Sequence, residues 1–268
     1  MVGRVMSSPR LWPNPPGNSP LPLPKGPSFF TRNNFSELLA PQMPDGEVID
    51  LEVLRNYVGE HTLPDGKKIS DIIDLQKRRP MLVAGELANP YRLSDIMAPD
   101  MPLIPVRLED ICRTWADNLD SREIQPGIHH VTIVRSPGWW EQTFITMLEI
   151  QDMKTIVQWL DGPHSNIWSP KRLAEGTIRL ENDMNLLSPE FDQISWDGKD
   201  EKVEVEIPSP NGPKLDLSSI MVPINTRSGC YNSRGRVNRC VHYLQTEFHE
   251  KMFRRGSSFK WSDMLNVL

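Results

Sequence analysis

The chain has 268 residues, a hydrophobic fraction of 38%, a charged fraction of 24% and a formal net charge of −5. This composition is too apolar for a wholly disordered chain and too polar for an integral membrane protein, and no apolar run reaches the roughly 18–20 residues that cross a bilayer. The N-terminus lacks the apolar stretch of a secretory signal, and three cysteines are too few for a disulfide scaffold. We therefore expect an intracellular protein, cytoplasmic or nuclear and not secreted, with free thiols.

Charged side chains are distributed in three blocks along the chain. Residues 1–35 carry four basic and no acidic side chains, residues 36–224 have a net charge of −14, and residues 225–260 have a net charge of +6. An acidic body with basic ends can bind a polyanion at one end, or it can associate head to tail with copies of itself. The distribution therefore favours an interaction or assembly protein.

The first predicted element is a disordered, proline-rich arm over residues 1–28. It holds eight prolines between Pro9 and Pro27, which favour polyproline II. Its Pro-x-x-Pro spacings fit the minimal pattern that aromatic grooves of partner modules bind, although such a composition more often forms a stiff solvated arm. Residues 29–224 are predicted to form an acidic globular body, and residues 225–268 a basic C-terminal segment that packs on the body or extends from it.

Short helices are predicted mainly in the first half of the body. Apolar residues recur there at three- and four-residue spacing, and Pro-Asp-Gly or proline follows several of these runs. The longest run places Leu108, Ile111, Cys112, Trp115 and Leu119 on one face of a helix. The helical segments predicted in this half are 29–39, 48–58, 69–75, 93–97 and 106–119.

Antiparallel strands are predicted mainly in the second half, so the fold class is α+β. The predicted strands are 81–84, 128–134, 177–180, 194–196 paired with 203–207, and 215–224. Ser136–Pro137–Gly138 is predicted to be a turn, after which residues 139–150 return as a strand or a helix. Two further helices are predicted over 152–160 and 237–254. The predicted core includes Val131, Ile133, Trp159 and Val205.

Four side chains that can bind zinc lie close together in the basic C-terminal segment. Cys230, Cys240, His242 and His249 have the spacing C-x9-C-x-H-x6-H. Structural zinc sites usually present ligands in pairs two to four residues apart, and this spacing does not. The pattern is more typical of two core cysteines and two half-exposed histidines. No metal site is predicted, and zinc binding stays an open alternative.

One short strand motif carries residue types used in phosphate chemistry. His130 and Thr132 lie on one face of the predicted strand, and His129 precedes them. A phosphate cradle of two His-x-Thr strands needs a second copy, which the chain lacks. Trp139 and Trp140 could stack on bases, but core anchoring is the usual role of such residues. The Gly-rich phosphate loops and G-x-S-x-G are absent, so no cofactor is expected.

The arginines of the basic C-terminal segment are the strongest candidates for a binding site. They could contact RNA, DNA, an anionic membrane surface or an acidic partner, or mediate self-association. The most favoured function is a non-enzymatic interaction or assembly protein, and a virus-type structural or matrix-like protein has this composition. The alternative is a hydrolase of a phosphate-containing substrate around His129, His130 and the arginines of 227–239. The candidate anion-binding residues are Arg227, Arg234, Arg236, Arg239, Arg254 and Arg255.

Overall fold

The predicted α+β class is confirmed by a computed structural model, which has short helices mostly early in the chain and a mostly antiparallel sheet system later. At 230–233 and 257–259 the backbone alone is described. The structure describes residues 22–32, 34–120, 122, 127–162, 167–181, 186–209, 212–225, 230–233, 235–253, 257–259, 263 and 265–268.

The helices begin and end at residues with clear capping roles. The carboxylate of Asp50 accepts hydrogen bonds from the backbone N–H groups of Glu52 and Val53, both at 2.9 Å, and so caps the first helix. Gly162 follows the third helix with a φ of 61°, which favours glycine. In the described part of the chain the α-helices are α1 (Leu51–Glu60), α2 (Pro90–Asp95), α3 (Ile150–Asp161) and α4 (Gln245–Glu247), the last continuing as a π-helical turn over Phe248–Met252.

Single 3-10 turns and many short strands make up the remaining regular structure. The 3-10 turns are Ile69–Asp71, Leu75–Lys77, Gly85–Ala88, Phe191–Gln193 and Leu217–Ser219. The strands are β1 (Ser28–Phe30), β2 (Phe35–Glu37), β3 (Arg79–Val83), β4 (Met101–Leu119), β5 (His129–Leu148), β6 (Trp168–Lys171), β7 (Thr177–Leu180), β8 (Ile194–Trp196), β9 (Glu201–Val203), β10 (Lys214–Asp216), β11 (Val222–Asn225), β12 (Cys230–Ser233), β13 (Arg236–Val237) and β14 (Ser257–Phe259).

Two long neighbouring strands, β4 and β5, organise the sheet. They pair antiparallel from Ile104 opposite Ile145 to Leu119 opposite His129. The other edge of β4 pairs with β1 and β7, and β3 pairs with β5. The hairpin of β8 and β9 forms a separate small sheet, as does the pair of β6 and β11. The predicted pairing of 194–196 with 203–207 is therefore confirmed for its first part, Ile194 opposite Val203.

A bulge divides β4 and β5 in the middle. Asp110 has a φ of 62°, and its carboxylate accepts a hydrogen bond of 2.8 Å from the N–H of Gly138. The register shifts between Glu109 and Ile111, so that several residues of β5 lie opposite Asp110. Ser136–Pro137–Gly138 is thus an irregularity inside β5, and the prediction of a turn that separates two elements was wrong.

Two predicted helices, 106–119 and 29–39, are not helical in the structure, and the predicted helix 237–254 is helical only over Gln245–Met252. Residues 106–119 belong to β4, because they are buried on both faces of the sheet and hydrogen-bonded to strands on both sides. The stretch 29–39 contains β1 and β2, which pair with each other. Residues 237–244 precede α4 and run beside β4, where Arg239 bridges to Thr114.

The core lies on both sides of β4 and β5. Ile133 is buried as predicted, whereas Val131, Trp159 and Val205 are partly exposed. The adjacent Trp139 and Trp140 are both buried, so the anchoring role applies to them. One core cluster packs α1 against the sheet, and a second packs α3 against β3 and β6.

The predicted arm overlaps the fold at its end, because Ser28 is buried in β1. Most of that arm, residues 1–21, lies outside the described residues. None of the helices in the described part of the chain has the length and apolarity of a membrane span.

Candidate functional site

The basic C-terminal segment (residues 225–268) joins the main sheet at the far half of β4. Cys230 of β12 pairs with Ala116, and the backbone N–H of Cys240 donates a 3.0 Å hydrogen bond to the carbonyl oxygen of Arg113. The hydroxyl of Thr114 donates a 2.7 Å hydrogen bond to the carbonyl oxygen of Asn238. These bonds hold one side of the segment against the edge of β4.

Arg239 is the innermost of the predicted anion-binding residues, with a side chain that is 2% exposed. Its Nη2 donates hydrogen bonds of 2.7 Å to the hydroxyl of Ser136 and to a carboxylate oxygen of Glu201. Its guanidinium also lies 4.4 Å over the ring of Trp139. Arg239 therefore anchors the segment to the bulge in β5 and to β9, and it does not face solvent.

Arg236 uses the same carboxylate from the opposite side. Its Nε lies 3.4 Å from Glu201, its Nη2 donates a 2.8 Å hydrogen bond to the carbonyl oxygen of Ile194, and its guanidinium covers the ring of Phe191 at 4.1 Å. The structure thus gives two of the six predicted arginines partners within the body. The other four, Arg227, Arg234, Arg254 and Arg255, lie outside the described residues.

The residue that sequence reasoning missed here is Glu201. Its carboxylate binds Arg236 and Arg239 and accepts from the backbone N–H of Val237 at 3.3 Å, although it lies 35 residues or more before them. One acid among 35 in the chain carries no signal of such a role. The block of negative charge that precedes the segment is the only trace of it in the sequence.

Replacing Glu201 by Gln is expected to lower the free energy of unfolding by about 2–3 kcal/mol, because it leaves the buried Arg239 without a counter-charge. Glu204→Gln on the same hairpin is the matched control. Glu204 is 47% exposed and bonds Ser195 and Lys202, so its loss should cost much less than the loss of Glu201. Urea denaturation measures both, and equal effects of the two variants would show that Glu201 does not anchor the segment.

A groove of about 710 Å³ opens beside this anchor, between the segment and the hairpin of β8 and β9. Its walls include Trp196, Pro137 and Val237 as apolar side chains. The charged side chains in its walls are Arg135, Lys199, Asp200, Glu201, Arg239 and Asp263. The described walls thus hold equal numbers of positive and negative groups, which suits a polypeptide better than a polyanion.

The side chains of the zinc hypothesis lie in different surroundings. His242 contacts Trp139 and its Nε2 lies 2.8 Å from the carbonyl oxygen of Pro189, whereas His249 contacts His129. The side chain of Cys230 lies outside the described residues. Cys240 and Cys112 are free thiols. Within the described residues nothing brings the two histidines to one ion.

His129 and His130 also diverge, although they are neighbours in β5. His129 packs on Phe248 and His249 of the C-terminal segment, whereas His130 packs edge-on to Trp168 of β6. The two rings therefore do not serve one reaction centre. The cavity beside His130 measures about 10 Å³, which is the space of roughly one water molecule.

Near His130 lies a buried group of charged side chains. The ligand-type atoms of Glu86, Asp120 and His130 lie within 4.8 Å of one another. The guanidinium of Arg122 already contacts both carboxylates and stacks at 4.0 Å over Trp159. A divalent ion at the same place would face that guanidinium at contact distance, so we interpret the group as a salt-bridge cluster in which Arg122 is the cation.

Asp120 shows the electrostatic consequence of this arrangement. Burial alone would raise the pKa of its carboxyl, but the hydrogen bond and charge of Arg122 outweigh burial and hold that pKa below its ordinary value. Glu86 binds a second guanidinium as well, since its other carboxylate oxygen lies 3.1 Å from Nε of Arg92. The cluster ties the turn after β3 to the end of β4.

An acidic surface of the body is formed by α1 and the turns around it. Residues 45–74 carry eight carboxylates and three basic side chains, and all eight carboxylate side chains belong to exposed residues. Three of the eight pair with nearby lysines, and Asp50 caps α1. Asp45, Glu47 and Glu52 make no ion pair with any residue that the structure describes. We call residues 45–74 the acidic face.

Comparisons of the chain with protein-family models, with curated proteins and with solved structures find no match.

Proposed function

We propose that the protein is a non-enzymatic assembly protein, in which the basic C-terminal segment of one copy binds the acidic face of the next. The observation that carries this proposal is the opposite charge of the two surfaces. The segment has a net charge of +6 over residues 225–260, and the acidic face has a net charge of −5 over residues 45–74. Complementary surfaces of this kind steer association and fix its orientation.

The contacts of the segment within its own molecule support the same chemistry. Arg236 and Arg239 bind a carboxylate of the body, and the Nζ of Lys251 lies 2.9 Å from the carboxylate of Glu247. Every basic side chain of the segment that the structure describes is thus paired with a carboxylate. The sequence of the segment contains five further basic residues, which lie outside the described residues: Arg227, Arg234, Arg254, Arg255 and Lys260.

The hydrolase alternative has less support from the geometry. A reaction around His129 and His130 needs both side chains near one substrate, and their rings pack against different elements. The cavity at His130 has room for roughly one water molecule and no substrate. Nucleic acid is another candidate partner of the basic C-terminal segment. The experiment below distinguishes nucleic-acid binding from self-association.

The proposal predicts self-association that depends on salt. Sedimentation velocity of the full chain should show oligomers at about 20 mM salt that dissociate at about 500 mM, because the Debye length falls from roughly 20 Å to below 5 Å. Arg227→Ala, Arg254→Ala and Arg255→Ala combined should lower the association constant by roughly ten-fold or more. These three are chosen because Arg236 and Arg239 anchor the segment.

The acidic face is tested with a variant and a control of equal charge. Asp45→Asn, Glu47→Gln and Glu52→Gln should weaken association as strongly as the arginine variant. Glu37→Gln, Glu149→Gln and Glu206→Gln alter exposed residues outside the face and should leave it unchanged. A chain that is monomeric at low salt, or that binds RNA and never itself, overturns the proposal.

A further inference from the structure

The last helical part of the segment is held on β5 by a cluster of aromatic rings around His129. Phe248 is fully buried, and its ring centroid lies 4.9 Å from that of His129 and 6.1 Å from that of Trp115. The side-chain oxygen of Gln245 accepts a hydrogen bond from the backbone N–H of His129. His129 is thus the residue of β5 on which residues 245–253 are seated.

The hydrogen bonds of His129 determine where its proton lies. Its Nδ1 is 2.9 Å from the carbonyl oxygen of Ala116, and because a carbonyl only accepts, Nδ1 carries the proton. Its Nε2 is 3.0 Å from Nδ1 of His249. In the neutral ring Nε2 is therefore the acceptor, and His249 donates to it. A proton on Nε2 would meet the N–H of His249 at hydrogen-bond distance, and the contact could persist only if His249 moved its own proton to its other ring nitrogen.

The surroundings of His129 oppose a positive charge. The residue is 3% exposed, and the charged groups that act on its ring most strongly are His249 of the segment and His130 of its own strand. On the helical part of the segment, Glu247 pairs with Lys251, and Glu250 is exposed. Burial, and then the two neighbouring imidazoles, lower the pKa of His129 to about 4.

We propose that acid releases residues 245–253 of the C-terminal segment from β5: this contact requires a neutral His129 and opens when that ring is protonated. The contact is a latch that closes at neutral pH. Its consequence for assembly rests on the proposed function, since residues 245–253 belong to the segment that binds the acidic face. The opening itself does not depend on self-association.

The size of the effect follows from the two protonation equilibria of His129. In the closed state the pKa of His129 is about 4, whereas in the open state the imidazole regains a pKa near its ordinary 6.5. The closed state is therefore favoured above pH 6.5, and the fraction of closed molecules decreases as the pH falls. The equilibrium constant for closing should drop roughly 20-fold between pH 7 and pH 5.

Hydrogen exchange tests the latch on the full chain. The amides of residues 245–253 should lose roughly 20-fold protection between pH 7 and pH 5, after correction for the pH dependence of the intrinsic exchange rate. The amide N–H groups of Phe248 and Phe253, which donate to Leu244 and Phe248, report directly on this part. Protein concentration is kept where sedimentation shows monomers, so that failure of self-association leaves the test intact.

Three histidine variants separate the latch from general acid sensitivity. His129→Gln should abolish the pH dependence of protection at 245–253. His249→Gln should retain it, because the Gln amide can still donate to Nε2 of His129. His61→Gln is the control, since His61 is equally buried but packs on Tyr57 of α1. The amides of residues 245–253 in this variant should exchange as they do in the wild-type chain, with the same dependence on pH.

Two results overturn the inference. One is protection at 245–253 that is equal at pH 7 and pH 5 in the wild-type chain. The other comes from the ¹⁵N chemical shifts of the His129 ring at pH 7, which remain measurable if His129→Gln does not fold. We expect a protonated Nδ1 and an unprotonated Nε2, and the reverse pattern would contradict the geometry of the latch.

Discussion

Replacing Glu141 by Gln is expected to lower the free energy of unfolding by about 3–5 kcal/mol, because the change removes one partner of a buried ion pair. The side chain of Glu141 is fully buried, and that of Arg113 is 9% exposed. One carboxylate oxygen of Glu141 accepts from both the backbone N–H of Arg113 at 2.7 Å and its Nε at 3.0 Å. Gln keeps the shape and an acceptor, but it leaves the guanidinium buried without a counter-charge.

Glu60→Gln is the control for this variant. Glu60 pairs with Lys68 at 2.6 Å, but both side chains are about half exposed, so its loss should cost less than about 1 kcal/mol. Chemical denaturation measures both variants. A double variant, Arg113→Met with Glu141→Gln, should recover much of the lost stability, because no buried charge then lacks a partner and the Gln carbonyl still accepts from the backbone N–H of residue 113. A cost below about 1 kcal/mol for Glu141→Gln would mean that Arg113 reaches solvent.

The second large effect is a loss of stability in acid, which should reach about 3 kcal/mol for each of two histidines at pH 4. Burial lowers the pKa of His61 and of His129 from 6.5 to about 4. The unfolded chain therefore binds more protons than the folded chain between pH 6.5 and pH 4. The stabilising contribution is fully present above pH 6.5 and is lost as the pH falls through this window.

Urea denaturation at pH 7, 6 and 5 measures this slope. Each histidine should contribute about 1.4 kcal/mol per pH unit below 6.5, and carboxyl groups with ordinary pKa values stay largely ionised over that range. His61→Gln and His129→Gln should each remove one such contribution. Stability that is unchanged between pH 7 and pH 5 would show that folding does not lower the pKa of either ring below its ordinary value.

The fold class could be predicted from composition and turn signals, but the longest strand could not. Leu108, Ile111, Cys112 and Trp115 recur at three- and four-residue steps, which is typical of a helix. In the structure, the bulge at Asp110 breaks the two-residue alternation of β4. The strand is also buried on both faces, so apolar residues occur on each. A local pattern cannot distinguish this case from a helix.

The anchoring site was predictable in its basic half only. The positive block of residues 225–260 pointed to Arg236 and Arg239, whereas Glu201 and Ser136 come from distant parts of the chain. Their proximity is a consequence of the sheet topology and of the bulge in β5. The role of His129 had the same origin, because nothing in its neighbours along the chain indicates His249 as a partner. Long-range pairing of this kind leaves no periodic signal in a single sequence.

The most direct test of head-to-tail assembly is a charge exchange between its two surfaces. One variant carries Asp45→Lys, Glu47→Lys and Glu52→Lys, which bring the acidic face from a net charge of −5 to +1. The other reverses five basic residues of the segment and brings its net charge from +6 to −4: Arg227→Glu, Arg234→Glu, Arg254→Glu, Arg255→Glu and Lys260→Glu. Sedimentation at low salt should show each variant alone as a monomer, because its two surfaces now have the same sign. An equimolar mixture should associate, because each segment then meets a face of opposite charge. A mixture that stays monomeric under conditions where the wild-type chain associates would contradict the proposed contact.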